Sequence, residues 1–449
     1  MVTINRALAQ VKRELASRLS SKAILEKCRQ IGHCWRESPL DPAITVYLFA
    51  MQILAGNTAC NHLRLLSGLD FTASAYCQAR QRLPLEVIRD LARQVGRQLA
   101  DANQPLSLWH GHRVFLVDGA GCSMPDTAAL QKEFGQPAGQ KEGCGFPVVS
   151  TLIMVHAYSG AIMDMLLRPL YVHDMSGVAR LHADLRPGDV LIGDRAFSSY
   201  AHLGLLQQRG LHGIFRIHQR TIVSFRPRRR HARLWPKKQR QGKPTSRWIK
   251  RLGRNDQLVE YFKPKPKPAW MSQEQFDSLP PSLLVREVRW RIRRRGFRVQ
   301  EVTLMTTLVD SQLYPACELA EQFLRRWSIE GDIDHLKTTM GAAVLHCKSV
   351  SGVTKELWAF ALVYNLVRQV MIEAARRQNV DPARISFVDA LRWLASVGPG
   401  STLQDLVVNP HRPGRCQPRV VKRRMKPYPL MTKPRALLKQ EMDNKRVAA

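Results

Sequence analysis

The sequence predicts an α/β protein: a mixed β-sheet flanked by helices, with an all-helical region in front of it and a basic, β-rich insertion within it. Three observations carry this expectation. The hydrophobic period changes near residue 110 from helical spacing to short β-branched runs. Strand-like and helix-like segments then succeed one another as β-β-β-α-β-α-β. No Asp or Glu occurs from Arg195 through Asn255, a charge-segregated stretch that splits the sheet-forming part in two. The 449 residues leave room for about three units at roughly 150 residues each.

Residues 1–105 read as helical. Ile44, Leu48, Met51 and Leu54 recur at spacings of three and four, as do Leu85, Ile88, Leu91 and Val95, and Gly56-Asn57 and Gly68 mark turns between them. The segment Ala73 to Leu83, with Arg80 and Arg82 on a short helix, reads equally as a helix-turn-helix variant that docks on DNA or as a packing helix with solvated Arg.

From Arg113 to Asp118 a β-branched and aromatic run is expected to halt at Asp118-Gly119. Val148–Ala157 and Ala161–Leu167 flank Ser159-Gly160 as a hairpin. A helix near Ser176–Leu185 follows, with Asp174 and Ser176 as cap candidates. Then come a strand Val190–Gly193 stopping at Asp194, a helix Tyr200–Gln208 and a strand Gly213–Ile217. The insertion contains strand-like runs such as Leu283–Arg293 and the linker 263–268, and the sheet resumes at Val302–Leu308. Helices are expected at Pro315–Thr339, Lys355–Arg377 and Ser386–Ala395, and the Pro- and Arg-rich tail after about 408 carries no evident structure. The expected division is 1–105 helical and DNA-end binding, 106–217 first part of the catalytic domain, 218–300 basic insertion, 301–400 its remainder with C-terminal helices, and 401–449 basic tail.

Composition narrows function. Hydrophobic residues at 45% and charged residues at 23% exclude global disorder. Lys and Arg number 69 against 36 Asp and Glu, a formal net charge of +33 that calls for a polyanionic partner, with nucleic acid the leading candidate. The first residues hold no apolar signal core, and the apolar stretches Ala43–Ala55 and Leu357–Met371 are too short or carry Arg368, so a cytoplasmic, nucleoid-associated protein is expected. Nine scattered cysteines without a Cys-x-x-Cys pair fit reduced thiols. His173 and His335 lack ligand spacing and read as polar or packing residues.

Three carboxylates occupy positions where chemistry is plausible. Asp118 and Asp194 end strands, and Glu330 lies in the long helix. Three such groups drawn together repel unless cations intervene, and Mg²⁺ suits an all-oxygen donor set, with Mn²⁺ a plausible substitute. Two ions about 3.5–4 Å apart serve phosphodiester displacement. Taken singly each has a plainer explanation: Asp118-Gly119 as a turn, Asp194 as a helix cap, Glu330 as the partner of a nearby Arg on a solvated face. Phe323, Arg326, Glu330 and Lys337 are expected within an arc of roughly 60° on one helix face, which suits a stripe against a phosphate backbone.

With these residues in view, the chain resembles the DDE transposases of bacterial insertion sequences, in particular the insertion-sequence-four family. The matching segments are Val117-Asp118-Gly119-Ala120 with Met124-Pro125-Asp126-Thr127, Ile192-Gly193-Asp194-Arg195-Ala196-Phe197, and Phe323-x2-Arg326-x3-Glu330-x6-Lys337, the last similar to the family's Tyr-x2-Arg-x3-Glu-x6-Lys signature. The resemblance implies an RNase H-like catalytic domain, with Mg²⁺ held by Asp118, Asp194 and Glu330. It implies that Arg326 and Lys337 contact phosphates of the transposon end and that the N-terminal domain helps bind terminal inverted repeats. It further implies a homodimer in a synaptic complex that moves double-stranded DNA into a target by cut and paste. Arg195 either orients the second carboxylate or touches DNA, and Phe323 stands in the family's Tyr position beside that DNA. Arg228, Arg229, Arg230, Lys237 and Lys238 are the insertion's expected DNA contacts. Members that cleave through a hairpin hold a flipped base with a Trp on the last strand of the insertion; Val302 falls near that place here, with Trp290 the nearest upstream substitute. A catalytically inactive DNA-binding derivative and an RNase H-like nuclease without joining activity are the alternatives.

Overall fold

In a computed structural model the described residues are 20–102, 104, 106–172, 175–218, 220–229, 244, 246–292, 300–396, 402–410 and 431–447. The N-terminal part is helical: α1 (Ser21–Gln30), α2 (Pro42–Leu54), α3 (Cys60–Ser67), α4 (Ala73–Arg82) and α5 (Leu85–Asp101). Their starts are written into the chain, because Ser20, Asp41 and Thr72 each accept a backbone N–H of the first turn of α1, α2 and α4. Gly68 ends α3 in the left-handed conformation.

The sheet begins with β1 (Val114–Ser123), β2 (Val148–His156) and β3 (Ile162–Pro169), all antiparallel, with α6 (Ala128–Phe134) between β1 and β2. After α7 (Met175–Leu181) come β4 (Val190–Gly193), α8 (Tyr200–Gln208) and β5 (His212–Arg216). β4 runs parallel to both β1 and β5. The order β3-β2-β1-β4-β5 with these directions is the RNase H-like arrangement.

The insertion does not form a separate body. Its strands β6 (Arg247–Gly253), β7 (Asp256–Phe262) and β8 (Ser282–Ile292), with α9 (Gln273–Ser278), join β9 (Gln300–Thr306) and extend the sheet to nine strands, β3-β2-β1-β4-β5-β9-β8-β7-β6. β9 is the hinge strand, antiparallel to β5 on one side and to β8 on the other. The chain closes with α10 (Ala316–Asp334), the long α11 (Val350–Gln378), α12 (Phe387–Ser396) and α13 (Arg435–Val447).

The main core lies where α11 is sandwiched against α5, α2, α12 and β3. Asn365 on α11 is fully buried and satisfied: it donates to Ala92 O at 3.0 Å and Ile162 O at 2.9 Å and accepts from Ile162 N at 2.8 Å. α5 approaches β3 so closely that a Cβ at Gly96 would lie 2.4 Å from Ile162 O, which excludes any larger residue.

Four expectations need correction. β1 does not halt at Asp118-Gly119 but runs to Ser123, because β2 pairs with it residue for residue from Phe115 to Ser123 and cross-strand hydrogen bonding overrides the glycines. The long helix is not α-helical to Thr339: α10 ends at Asp334 and continues as a π-helical turn, His335–Thr339, which breaks the 3.6-residue count before Lys337. The tail is not without structure, since α13 is seated by Arg435, which donates to Asp126 Oδ2 and Gly145 O at 3.1 Å and lies 3.8 Å over the Phe146 ring. Arg80 is not solvated: it stacks 3.9 Å from the Phe49 ring and donates to Gln52 Oε1 and Cys347 Sγ at 2.9 Å. The cap candidate Asp174 and the side chain of Ser176 fall outside the described residues. Among the described residues the cysteines are free thiols, and no helix is long and apolar enough to cross a membrane.

Candidate active site

The parallel register of β1 and β4 places Val117 opposite Gly193, so the residues that follow, Asp118 within β1 and Asp194 just past β4, stand side by side where β4 ends in the middle of the sheet. Gly193 is required for this approach, because a Cβ there would meet Phe197 at 2.7 Å and Val117 Cγ1 at 3.0 Å. The Asp194 side chain makes no capping hydrogen bond to the short 3₁₀ turn Arg195–Phe197 that follows it, which leaves its carboxylate available. α10 packs against β1, β4 and β5 and brings Glu330 to the same place.

Arg326 holds the arrangement together. Its Nη1 lies 3.3 Å from Asp118 Oδ2 and its Nη2 lies 3.0 Å from Glu330 Oε1, so one guanidinium bridges a sheet carboxylate and a helix carboxylate. The i,i+4 Arg–Glu pair read from the sequence exists, and the Arg is not solvated: its side chain is 9% exposed and its buried Nε has no hydrogen-bond partner. Asp118 Oδ1 accepts from Gly119 N at 2.8 Å. Burial pushes the Asp118 carboxyl above its usual range; the Gly119 N–H and Arg326 pull it back, and Glu330 and Asp194 add repulsion. That both carboxylates act on Asp118 marks the three as one electrostatic cluster.

Among the described residues no three His, Cys, Asp or Glu side chains are gathered tightly enough to enclose an ion in this side-chain arrangement. The cation between the carboxylates is Arg326. The donors are nonetheless hard oxygens at a spot already occupied by positive charge, which is the chemistry a divalent ion of the magnesium type requires.

The remaining expected residues separate into groups. Phe323 is 3% exposed and packs in the main core, although it lies seven residues before Glu330 on the same helix face. Lys337 is half-buried on the π-helical turn. Arg195 and Arg228 are exposed. Arg229 is turned inward, against the expectation: its Nη2 meets Ser246 Oγ at 2.7 Å and it lies near the buried pair Tyr261–Glu287, whose carboxylate attracts it. Arg230, Lys237, Lys238 and His173 lie outside the described residues. His335 stacks on Phe387, with centroids 4.4 Å apart. Trp290 pairs with Val302 across β8 and β9; Val302 is buried, whereas Trp290 is 38% exposed beside Arg254, Arg289 and Arg291.

Two features were not anticipated. His202 and His182 are buried and stacked, with Nε2 atoms 3.1 Å apart, and His202 Nδ1 donates to Phe197 O at 2.8 Å, tying down the turn that follows Asp194. Burial lowers both, His202 to about 4 and His182 to about 2, so both stay neutral. Twenty residues apart on two short helical segments, they gave no signal in the sequence. Trp327 is half-exposed next to Arg326, whose guanidinium lies 4.9 Å from its ring; an exposed Trp one residue after that Arg was readable from helix phase.

Residues 109–366 match the family model described as a transposase DDE domain, which covers more than half of the chain, and the protein belongs to that family of metal-dependent DNA-cleaving and strand-transferring enzymes. Among its relatives is the Escherichia coli K12 transposase InsG for insertion sequence element IS4, 26% identical over 379 residues, covering 80% of this chain and 78% of the relative. The putative transposase InsZ of the same organism is 25% identical over 146 residues, covering 32% of this chain and 49% of the relative. Among solved structures, a cryo-EM piggyBac transposase synaptic complex with hairpin DNA aligns over 85% of this chain and 78% of its own at 11% identity, with a TM-score of 0.40. The chain is thus an insertion-sequence transposase, and the resemblance carried by its three carboxylate segments holds.

Proposed function

We propose that the protein binds the terminal inverted repeats of its element, cleaves the DNA ends and joins their 3′ hydroxyls to target DNA by cut-and-paste transposition, acting as a homodimer in the synaptic complex. The grouping of Asp118 within β1, Asp194 just past β4 and Glu330 on α10, with Arg326 bridging Asp118 and Glu330, supports this reading more than any other observation. Asp118, Asp194 and Glu330 are the residues that would hold Mg²⁺, or Mn²⁺ in its place. Two such ions supply activation of a water or 3′ hydroxyl and stabilisation of the leaving oxygen.

The chain's own groups do the positioning. Arg326 neutralises Asp118 and Glu330 and offers guanidinium donors beside the scissile phosphate, where a planar fork matches a phosphate oxygen pair. Lys337 adds positive charge about two turns beyond Glu330, and exposed Arg195 and Arg228 face the backbone of the duplex. The His182–His202 pair fixes the turn that carries Asp194, so the second carboxylate keeps its place while DNA enters.

Asp118→Ala, Asp194→Ala and Glu330→Ala are each expected to abolish strand cleavage while end binding, read by gel shift, stays within a few-fold of the parent. Loss of binding in step with cleavage would assign these residues to structure instead.

A further inference from the structure

α3 and α4 form a helix, a turn through Gly68 and a second helix, and they stand on α2. α4 has one buried side, Tyr76 and Ala79, which holds it to the domain. Its other side is polar and exposed: Ser74, Cys77, Gln78, Gln81 and Arg82 recur at spacings of three, four, seven and eight, a single face at 3.6 residues per turn. That face forms a ridge between two clefts. One, of about 580 Å³, is lined by Cys77 and Gln81 from the ridge and by His346, Lys348 and Lys355 from the opposite wall. The other, of about 740 Å³, is lined by Gln78 and Arg82 from the ridge and by Trp35 and Arg36 opposite.

Both clefts are basic where they open. Lys348, Arg36 and Arg82 are exposed, and Arg29 lies 5.4 Å over the Trp35 ring at the second cleft's edge. The acidic groups do not cancel this. Glu356 is buried and accepts from Asn57 Nδ2 at 2.7 Å and from the backbone N–H groups of His346 and Cys347, and Glu37 alone remains at the rim of the second cleft. A convex helix with amide side chains, set between two cation-lined clefts, is complementary to one ligand shape: a major groove about 12 Å wide that admits a helix, with a phosphate backbone on either side.

We propose that α4 is the base-reading element of this transposase: it enters the major groove of duplex DNA with Gln78 and Gln81 against base edges, while Lys348 on one side and Arg36 and Arg82 on the other receive the two backbones. This rests on the DNA-end-binding function proposed above and assigns it to a surface. The ligand class follows from the side chains, since Gln pairs in bidentate fashion with the N6 and N7 of adenine. Three residues of helix advance about 4.5 Å and one base step about 3.4 Å, so the two Gln residues address A·T pairs one or two steps apart.

The test uses the full chain and a library of randomised 30-bp duplexes, from which bound DNA is selected and sequenced. The parent is expected to enrich a motif containing closely spaced A·T pairs. Gln78→Ala and Gln81→Ala each lose preference at one of those pairs by roughly 5- to 150-fold, with affinity for unselected duplex unchanged. Lys348→Ala and Arg36→Ala weaken binding to every duplex and each lower the salt slope by about one. Cys77, exposed on the ridge 3.5 Å from Cys60 Sγ, is a built-in reporter whose alkylation by N-ethylmaleimide slows when selected DNA is bound. The assignment is overturned if both Gln variants enrich the parent's motif unchanged, or if bound DNA leaves Cys77 alkylation at its free rate. A parent that cleaves DNA but yields this result retains the transposase reading and loses only α4 as its reader; a parent that neither selects a motif nor cleaves loses both.

Discussion

Replacing Arg286 by Met removes a cation that lies wholly inside the protein, with 0% side-chain exposure, although it belongs to the basic insertion. Its Nε and Nη2 donate to the two Asp256 oxygens at 2.8 and 2.6 Å, and Nη1 donates to Tyr314 O at 2.6 Å and Asp310 O at 3.3 Å. Tyr314 immediately precedes Pro315, the N-cap of α10, so this single side chain ties β7 and β8 of the insertion to the segment that launches the Glu330 helix. Met fills similar volume but leaves Asp256 charged, nearly buried and unpaired, a change worth about 3–5 kcal/mol. Adding Asp256→Leu removes the stranded charge and should recover most of that loss. Guanidinium unfolding followed by Trp fluorescence gives the two differences, and cleavage kinetics under folding conditions report whether α10 has shifted. Should Arg286→Met cost under about 1 kcal/mol and instead reduce the salt slope of DNA binding, Arg286 would be a phosphate contact and the bracing argument would be wrong.

Other outcomes follow from the same geometry. Asp118→Asn should raise stability at neutral pH, because burial lifts the Asp118 carboxyl above its unfolded value; the parent's deficit builds as pH rises through that folded value and vanishes below the unfolded one, which a series of thermal melts from pH 3 to 8 would display. The buried His182–His202 pair has the opposite sense: both are depressed, so the neutral pair's stability is present above about pH 6.5 and lost as pH falls toward 4, and His182→Leu with His202→Leu should flatten that limb of the profile. Arg326→Gln should abolish cleavage while changing the salt slope of end binding by well under one phosphate, since its side chain is nearly buried and shared with two carboxylates; a drop of about one full unit would mean that it leaves the carboxylates on binding DNA.

Much of the fold was legible because the relevant signals are local. The hairpin β2–β3, the four-residue β4 and helix α8 show their periods and their turn residues in the chain itself, and Asp194 directly after β4 and Glu330 within α10 stand where the strand and helix patterns put them, whereas Asp118 lies inside β1 and not at its end. What escaped was decided elsewhere in space. Gly119 looks like a strand terminator until β2 pairs with it, and the phase of Lys337 depends on a π-helical turn that no spacing rule displays. The insertion's charge misled in a specific way. Arg229 and Arg286 count toward the +33 but point into the protein at Glu287 and Asp256, and a tally of basic residues does not distinguish an Arg that grips DNA from one that neutralises a buried carboxylate. Arg80 is the same lesson in the helical domain, where a stacking partner, Phe49, lies outside its own helix.

The most direct test of the central claim exchanges the chemistry of the ligand atoms at β1 and the end of β4. Asp118→Cys and Asp194→Cys replace a hard oxygen donor by sulfur, which binds Mg²⁺ poorly and softer divalent ions well. If these carboxylates hold the ions that drive cleavage, each variant loses strand cleavage in Mg²⁺ and regains part of it in Mn²⁺, with end binding unaltered in both. Cleavage in Mg²⁺ at the parent's rate by either variant would contradict the account.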